Sequence, residues 1–107
     1  MYMTALSAFD VLAEPSRREI LELLRDGERP VSELVDNLNL SQPAVSKHLR
    51  VMKDAGLVDV RPDAQRRLYR ICPEPLEQLD DWLEPYRKFW TTRLDRLESH
   101  LDQRRKL

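Results

Sequence analysis

Between Leu34 and Lys53 the apolar positions fall into two helical registers separated by a short polar break. Leu34, Val35 and Leu38 recur at helical spacing, and Val45, Leu49 and Met52 step by four and three, so each set lines one face of a helix. Asn39, between them, is a residue type that tolerates the left-handed backbone expected just past a helix end, and Leu40 is the apolar plug of the turn. Ser41 is placed to cap the next helix through its hydroxyl, and Pro43 is harmless in a first turn whose N–H groups have no intrahelical partner. The pattern predicts two helices packed across a tight turn, a helix-turn-helix, with the second helix beginning at Ser41 or Gln42. On or near the side opposite its apolar face lie Gln42, Ser46, Lys47, Arg50 and Lys53, which supply donors and positive charge.

The rest of the chain predicts three more helices and one hairpin. A first helix runs from about Thr4 to Ala13, with Leu6, Phe9 and Leu12 or Ala13 on one side, and Glu14-Pro15-Ser16 breaks it. Pro15 at a first helical position, or Ser16 and Glu19 as a capping box, restarts the chain through Ile20, Leu21, Leu23 and Leu24 as far as Asp26-Gly27. Pro30 marks the start of the third helix. After Ala55-Gly56, the alternating run Leu57 to Arg61 reads as a strand, Pro62 to Gln65 as a turn, and Arg66 to Ile71 as the partner strand. That hairpin, tipped with Arg61, Gln65, Arg66 and Arg67, follows the second helix of the pair directly, as a wing would. In the last third, Leu76, Leu79, Leu83, Tyr86, Trp90, Leu94, Leu97 and Leu101 step by three or four, and Phe89 widens the stripe. Pro85 should kink this helix without ending it.

The expected architecture is mainly α with a small β-hairpin: one winged-helix domain over 1–107, made of a helix in 1–13, a winged helix-turn-helix core in 15–71 and a long helix in 74–103. A core of that size can bury its own apolar surface, which leaves the apolar faces of the first and last helices surplus. Surplus apolar helix faces predict a partner subunit, most simply a two-fold homodimer, with Leu6, Phe9, Leu79, Leu83, Tyr86, Phe89, Trp90, Leu94 and Leu97 in the seam.

A net charge of −1 argues against a nucleic-acid partner until its distribution is considered. Residues 1–40 hold four Lys or Arg against eight Asp or Glu (net −4), residues 41–71 hold seven against three (net +4), and residues 72–107 hold seven against eight (net −1). The positive charge thus sits on the second helix of the pair and the hairpin, as an electrostatic footprint on a phosphate backbone requires. A run of 18 apolar residues and a basic-apolar leader are both missing, and the lone Cys72 cannot form an internal disulfide, so a cytoplasmic protein with no membrane partner is expected.

The candidate DNA-binding residues are Ser41, Gln42, Ala44, Ser46, Lys47, His48, Arg50, Arg61, Gln65, Arg66 and Arg67. Gln42 and Ser46 are small neutral donors near the start of the helix, where base edges are reached, and Ala44 can touch a thymine methyl. His48 lies on the flank of the apolar face, as a packing residue or a phosphate donor. For Arg17 and Arg18 a salt bridge to the acidic first forty residues comes ahead of phosphate contact. Tyr69 alternates with Ile71 and reads as core. Trp82, Phe89 and Trp90 fit a dimer seam better than a ligand box. Cys72 reads as an inert thiol.

In order along the chain, Leu12-Ala13-Glu14-Pro15-Ser16-Arg17-Arg18-Glu19-Ile20-Leu21, Ser41-Gln42-Pro43-Ala44-Val45-Ser46-Lys47-His48-Leu49, Ala55-Gly56-Leu57-Val58 and Arg66-Arg67-Leu68-Tyr69 resemble the ArsR-type winged-helix transcriptional repressors. The resemblance spans roughly residues 8 to 72 and implies a homodimer, joined through its first and last helices, that occupies an operator and blocks transcription. Metal-sensing members of that family carry a Cys-x-Cys pair entering the third helix, and the matching positions here are Pro30 and Ser32. The family's other metal site needs Asp, His and Glu ligands on the last helix, which here offers His100 and no second imidazole. Cys72, His48 and His100 are too few and too scattered for a tetrahedral site within one subunit, so no metal and no cofactor is expected.

The expected function is therefore an autoregulating DNA-binding repressor that acts on a double-stranded, pseudo-palindromic operator and is not metal-sensing, its effector unknown. The alternatives are a metal- or redox-responsive repressor with ligands shared across the dimer, and a winged-helix protein-interaction module, which would leave Lys47, Arg50, Arg66 and Arg67 without a role. An enzyme fits worst: there is no Gly-rich phosphate loop, no nucleophile near a plausible His base and no paired carboxylates at a supporting spacing.

Overall fold

The structure, a computed structural model, describes residues 5–105. Five helices and three strands follow one another as α1 (Ala5–Leu12), α2 (Pro15–Leu24), β1 (Arg29–Pro30), α3 (Val31–Asn37), α4 (Gln42–Asp54), β2 (Val58–Asp63), β3 (Arg66–Ile71) and α5 (Glu74–Arg105). Pro15 opens α2 behind an extended Glu14 that makes no side-chain cap, so the proline and not a Ser16–Glu19 capping box sets the helix start. The exit from α3 differs from expectation. Leu38 is extended (φ −113, ψ 147), and among the described non-glycine residues only Ala64 has a positive φ, so Asn39 is not left-handed. An extended exit turns Leu38 into the core and lets Leu40 pack against it, with no glycine-like residue needed. Ser41 caps α4 as its position suggests: its Oγ accepts from the Ala44 N–H at 3.3 Å.

The core collects the inward faces of α2, α3 and α4 around Ile20, Leu24, Leu34, Val45, Leu49 and Met52, closed from below by Leu57 and Val58. Val45, Leu49 and Met52 are fully buried, which fixes the rotation of α4 and turns its donor-rich side outward. Truncating such a side chain to Ala costs about 2–5 kcal/mol, so the orientation of α4 is tied to the stability of the whole.

The hairpin is longer and its turn tighter than the sequence suggests. β2 continues through Pro62 to Asp63, leaving only Ala64 and Gln65 in the turn, and Ala64 takes φ 56. Asp63 pairs with Arg66 across this two-residue loop, and Pro62 then faces Arg67. Alternation of the ladder makes that second pair the non-hydrogen-bonded one, so the proline's missing N–H removes nothing from an edge strand. β1 was not anticipated. It pairs antiparallel with β3, Arg29 against Tyr69 and Pro30 against Leu68, giving the sheet order β1-β3-β2 and tying the wing to the start of α3.

α5 is continuous through Pro85. The Arg87 guanidinium reaches back to the Asp80 carbonyl at 2.9 Å, beside the Asp81 carbonyl that Pro85 deprives of its helical partner, and also engages the Asp80 and Glu84 carboxylates. α1 packs on the first turns of α5, where Ala8 and Leu79 are buried. Leu79 is therefore an inward residue of its own subunit. Leu83 is half-buried, the side chain of Leu6 lies outside the described residues, and every side chain from Lys88 to Arg104 is exposed. Phe9, Tyr86, Phe89, Trp90, Leu94 and Leu97 stay 38–61% exposed. No helix among the described residues is long and apolar enough to cross a membrane.

Candidate nucleic-acid interface

The outward side of α4 carries Gln42, Ser46, Lys47, Arg50 and Lys53, all exposed and none bonded to a carboxylate among the described residues. Ser41 is exposed at the cap and Ala44 is half-buried behind it. His48 is half-buried on the flank, and its Nδ1 accepts from Arg17 Nε at 3.3 Å, which commits one ring nitrogen to contacts inside the chain.

Arg17 and Arg18 do not make the expected salt bridges. Arg17 Nη1 donates to the Val11 carbonyl at 3.3 Å, and Arg18 Nη1 donates to those of Leu12 at 2.8 Å and Ala13 at 3.2 Å. The end of α1 leaves carbonyl oxygens without helical partners, and a guanidinium from the next helix meets both their hydrogen-bonding need and the negative end of the helix dipole.

Most of the wing's arginines are engaged. Arg61 grips Glu28 with two bonds, Nε to Oε2 at 2.7 Å and Nη2 to Oε1 at 3.0 Å. Arg66 pairs with Asp63 at 2.8 Å across the turn, and Arg70 with Asp59 at 3.3 Å. The Arg61 bond holds the Glu28 carboxyl below its ordinary range, and Glu28 in return raises the Arg61 guanidinium. Asp59 is also held low, first by the Val60 N–H at 2.9 Å and then by Arg70. Arg67 is exposed and has no ion pair among the described residues, and Gln65 stands exposed at the tip.

Between α4 and the wing lies a cleft of about 390 Å³. Gln42, Ser46, Arg50, Lys53 and Arg67 line it together with Val31 and Tyr69, with no carboxylate on its walls. Four of the anticipated residues thus come together: Gln42, Ser46, Arg50 and Arg67. Lys47 and His48 lie elsewhere on α4, while Arg61 and Arg66 belong to ion pairs. Lys53 and Tyr69 were not among the candidates. Tyr69 stands two residues from Arg67 on one strand, so period-two alternation places both on one face, a signal that its reading as pure core obscured.

Away from this face, Phe9 and Trp82 meet edge to face at 5.1 Å, Trp82 and Tyr86 lie 5.0 Å apart, and Tyr86 and Phe89 are 6.5 Å apart, so α1 and α5 share one aromatic ladder. Cys72 is half-buried, and burial pushes its thiol above the ordinary range. Among the described residues no three His, Cys, Asp or Glu side chains gather as metal ligands.

Residues 14–60 match the bacterial regulatory protein arsR family. Over 93 residues the chain is 42% identical to the HTH-type transcriptional regulator Rv2034 of Mycobacterium tuberculosis, covering 87% of this chain and 84% of that relative. Among solved structures, a possible transcriptional regulator for arsenical resistance is 42% identical with a TM-score of 0.67, over 85% of this chain and 92% of its own. The homodimeric winged helix-turn-helix DNA-binding domain of a possible ArsR-family regulator from Mycobacterium bovis is 26% identical with a TM-score of 0.63, over 78% of each chain. Family match, relatives and fold agree, and the chain belongs to the ArsR family of winged helix-turn-helix transcriptional regulators.

Proposed function

We propose that the chain, acting as a single winged-helix unit over 1–107, is an autoregulating, metal-independent cytoplasmic repressor that binds a pseudo-palindromic operator as a homodimer. The observation that carries the reading is the outward side of α4: Gln42, Ser46, Lys47 and Arg50 stand exposed on a helix whose rotation is locked by fully buried Val45, Leu49 and Met52. Hydrogen-bond donors near the start of a helix reach base edges when that helix enters a major groove, and the cations behind them meet phosphates. The exposed apolar stripe of α5 with Phe9 of α1 supports a two-fold partner, as does the homodimeric relative. Two α4 helices so related would address half-sites about one helical turn apart, and an occupied operator blocks transcription. Pro30 and Ser32 at the thiolate positions, and a last helix with one imidazole, support regulation without metal.

Fluorescence anisotropy on a duplex from upstream of the chain's own coding sequence, against a shuffled duplex, tests this. The native duplex should bind more tightly, both affinities should fall steeply with salt, and Gln42→Ala with Ser46→Ala should erase the preference while leaving the shuffled duplex unaffected. Equal binding of the two duplexes by the unmodified chain would remove autoregulation, and an absence of salt-dependent binding would remove the DNA reading itself.

A further inference from the structure

We propose that the cleft between α4 and β3 seats one phosphate group of the operator backbone, with Lys53 and Arg67 as its ion partners and the Tyr69 hydroxyl as a neutral donor. The inference rests on the DNA-binding reading above and adds to it a site of defined chemistry.

Three cations from two elements, Arg50, Lys53 and Arg67, converge on this cleft with no carboxylate on its walls. The neighbouring surface is arranged in the opposite way, since Arg29, Arg61, Arg66 and Arg70 each hold a carboxylate. Asp59, close enough for Lys53 to lower its pKa, is itself held by Arg70 at 3.3 Å. Like charges gathered without a counter-charge repel, and an anion entering the cleft relieves that repulsion. Tyr69 packs against the core while lining the cleft, and among the described residues its hydroxyl has no hydrogen-bond partner.

Helix geometry separates phosphate from base contact. Gln42, Ser46, Arg50 and Lys53 form one line down α4, and at 1.5 Å per residue Lys53 lies about 16 Å beyond Gln42. A major groove is about 12 Å wide, so with Gln42 at the base edges Lys53 has reached the groove wall, where only backbone is available. Arg67 and Tyr69 approach the same point from the wing, which makes the cleft a clamp on the strand running between helix and hairpin.

The test compares log Kd against log salt for the unmodified chain, Lys53→Gln, Arg67→Gln and Tyr69→Phe, on operator and shuffled duplex. Lys53→Gln and Arg67→Gln should each flatten the slope of the dimer by about two, one contact being lost in each protomer, and weaken both duplexes alike. Tyr69→Phe keeps the ring and its packing, so the melting temperature should hold while both affinities drop three- to tenfold at unchanged slope. Unaltered slopes in the two charge variants, or unmodified affinity in Tyr69→Phe, would overturn the proposal. Either result, with the unmodified chain still binding DNA in a salt-dependent way, leaves the DNA reading intact, whereas loss of that binding in the unmodified chain refutes the reading itself. Inorganic phosphate at matched ionic strength should displace DNA no better than chloride. Stronger displacement by phosphate, lost in Lys53→Gln, would reassign the seat from the duplex backbone to a free phosphate.

Discussion

Trp90→Glu puts a carboxylate in the middle of the exposed stripe of α5. Trp90 is 43% exposed in the isolated subunit, and with up to about 250 Å² available to a tryptophan this leaves about 100 Å² for a partner to cover. At roughly 25 cal/mol per Å² that area is worth about 2.5 kcal/mol per protomer, or about 5 kcal/mol over a two-fold interface. Losing it raises the dimer dissociation constant by about three and a half orders of magnitude, before the added cost of burying an unpaired charge. Sedimentation equilibrium over a dilution series measures the change directly. The subunit itself should remain folded, because Trp90 lies outside the core built by α2, α3 and α4. Circular dichroism should therefore retain its helical signal while the mass falls to that of one chain, and operator affinity should drop as the gain from linking two half-sites disappears. An unchanged dimer constant for the variant would refute the reasoning and place the seam away from the distal half of α5.

Glu28→Gln tests the wing's anchor through pH: a carboxyl held below its ordinary range binds fewer protons folded than unfolded, so its contribution is present above about pH 4.5 and lost as pH falls through the lowered folded value. Melting curves of the two proteins should differ at pH 7 and converge as the pH falls through the lowered value, and a constant offset would dissociate the bridge from the effect. Ser41→Ala removes the cap on α4 and should cost about 1 kcal/mol, read as a fall of several degrees in melting temperature; no shift would mean that water replaces the hydroxyl. Zinc, cadmium and chelator should leave operator affinity alike, and a tenfold change, about 1.4 kcal/mol of coupling, would point to Cys72 and His100 shared between subunits. The cations without ion pairs on α4 and the wing, namely Lys47, Arg50, Lys53 and Arg67, predict a salt slope for the dimer of about −7, against about −13 if Arg61, Arg66 and Arg70 also released their carboxylates to reach phosphate.

The parts of the fold legible in the sequence are those determined by residues three or four apart. Val45, Leu49 and Met52 predict the buried face of α4, and Ser41 its start, because burial period and cap chemistry are both local. The unbroken stripe on either side of Pro85 predicts one helix, since a single lost hydrogen bond is small against that run of apolar positions. β1 escaped because two residues carry no period, and its pairing with Tyr69 and Leu68 depends on how the wing folds back. Asn39 misled for a related reason: residue type says which backbone conformations are tolerated, whereas the packing of Leu38 and Leu40 decides which one is used.

Charge was the feature hardest to read. The net +4 of residues 41–71 locates the basic face correctly and misstates what that charge is free to do. Asp63 and Arg66 face each other only because the turn has two residues, and a four-residue turn hides that pair. Glu28 lies on a different element from Arg61, and nothing in the sequence links them. Three of the wing's four arginines are therefore partnered within the chain, and the unpaired positive charge concentrates on α4 and at Arg67. β3, paired with β1 on one side and β2 on the other, places Arg67 and Tyr69 on the cleft that Lys53 also lines. The sheet then serves DNA binding chiefly as a scaffold that completes a cleft begun by the recognition helix.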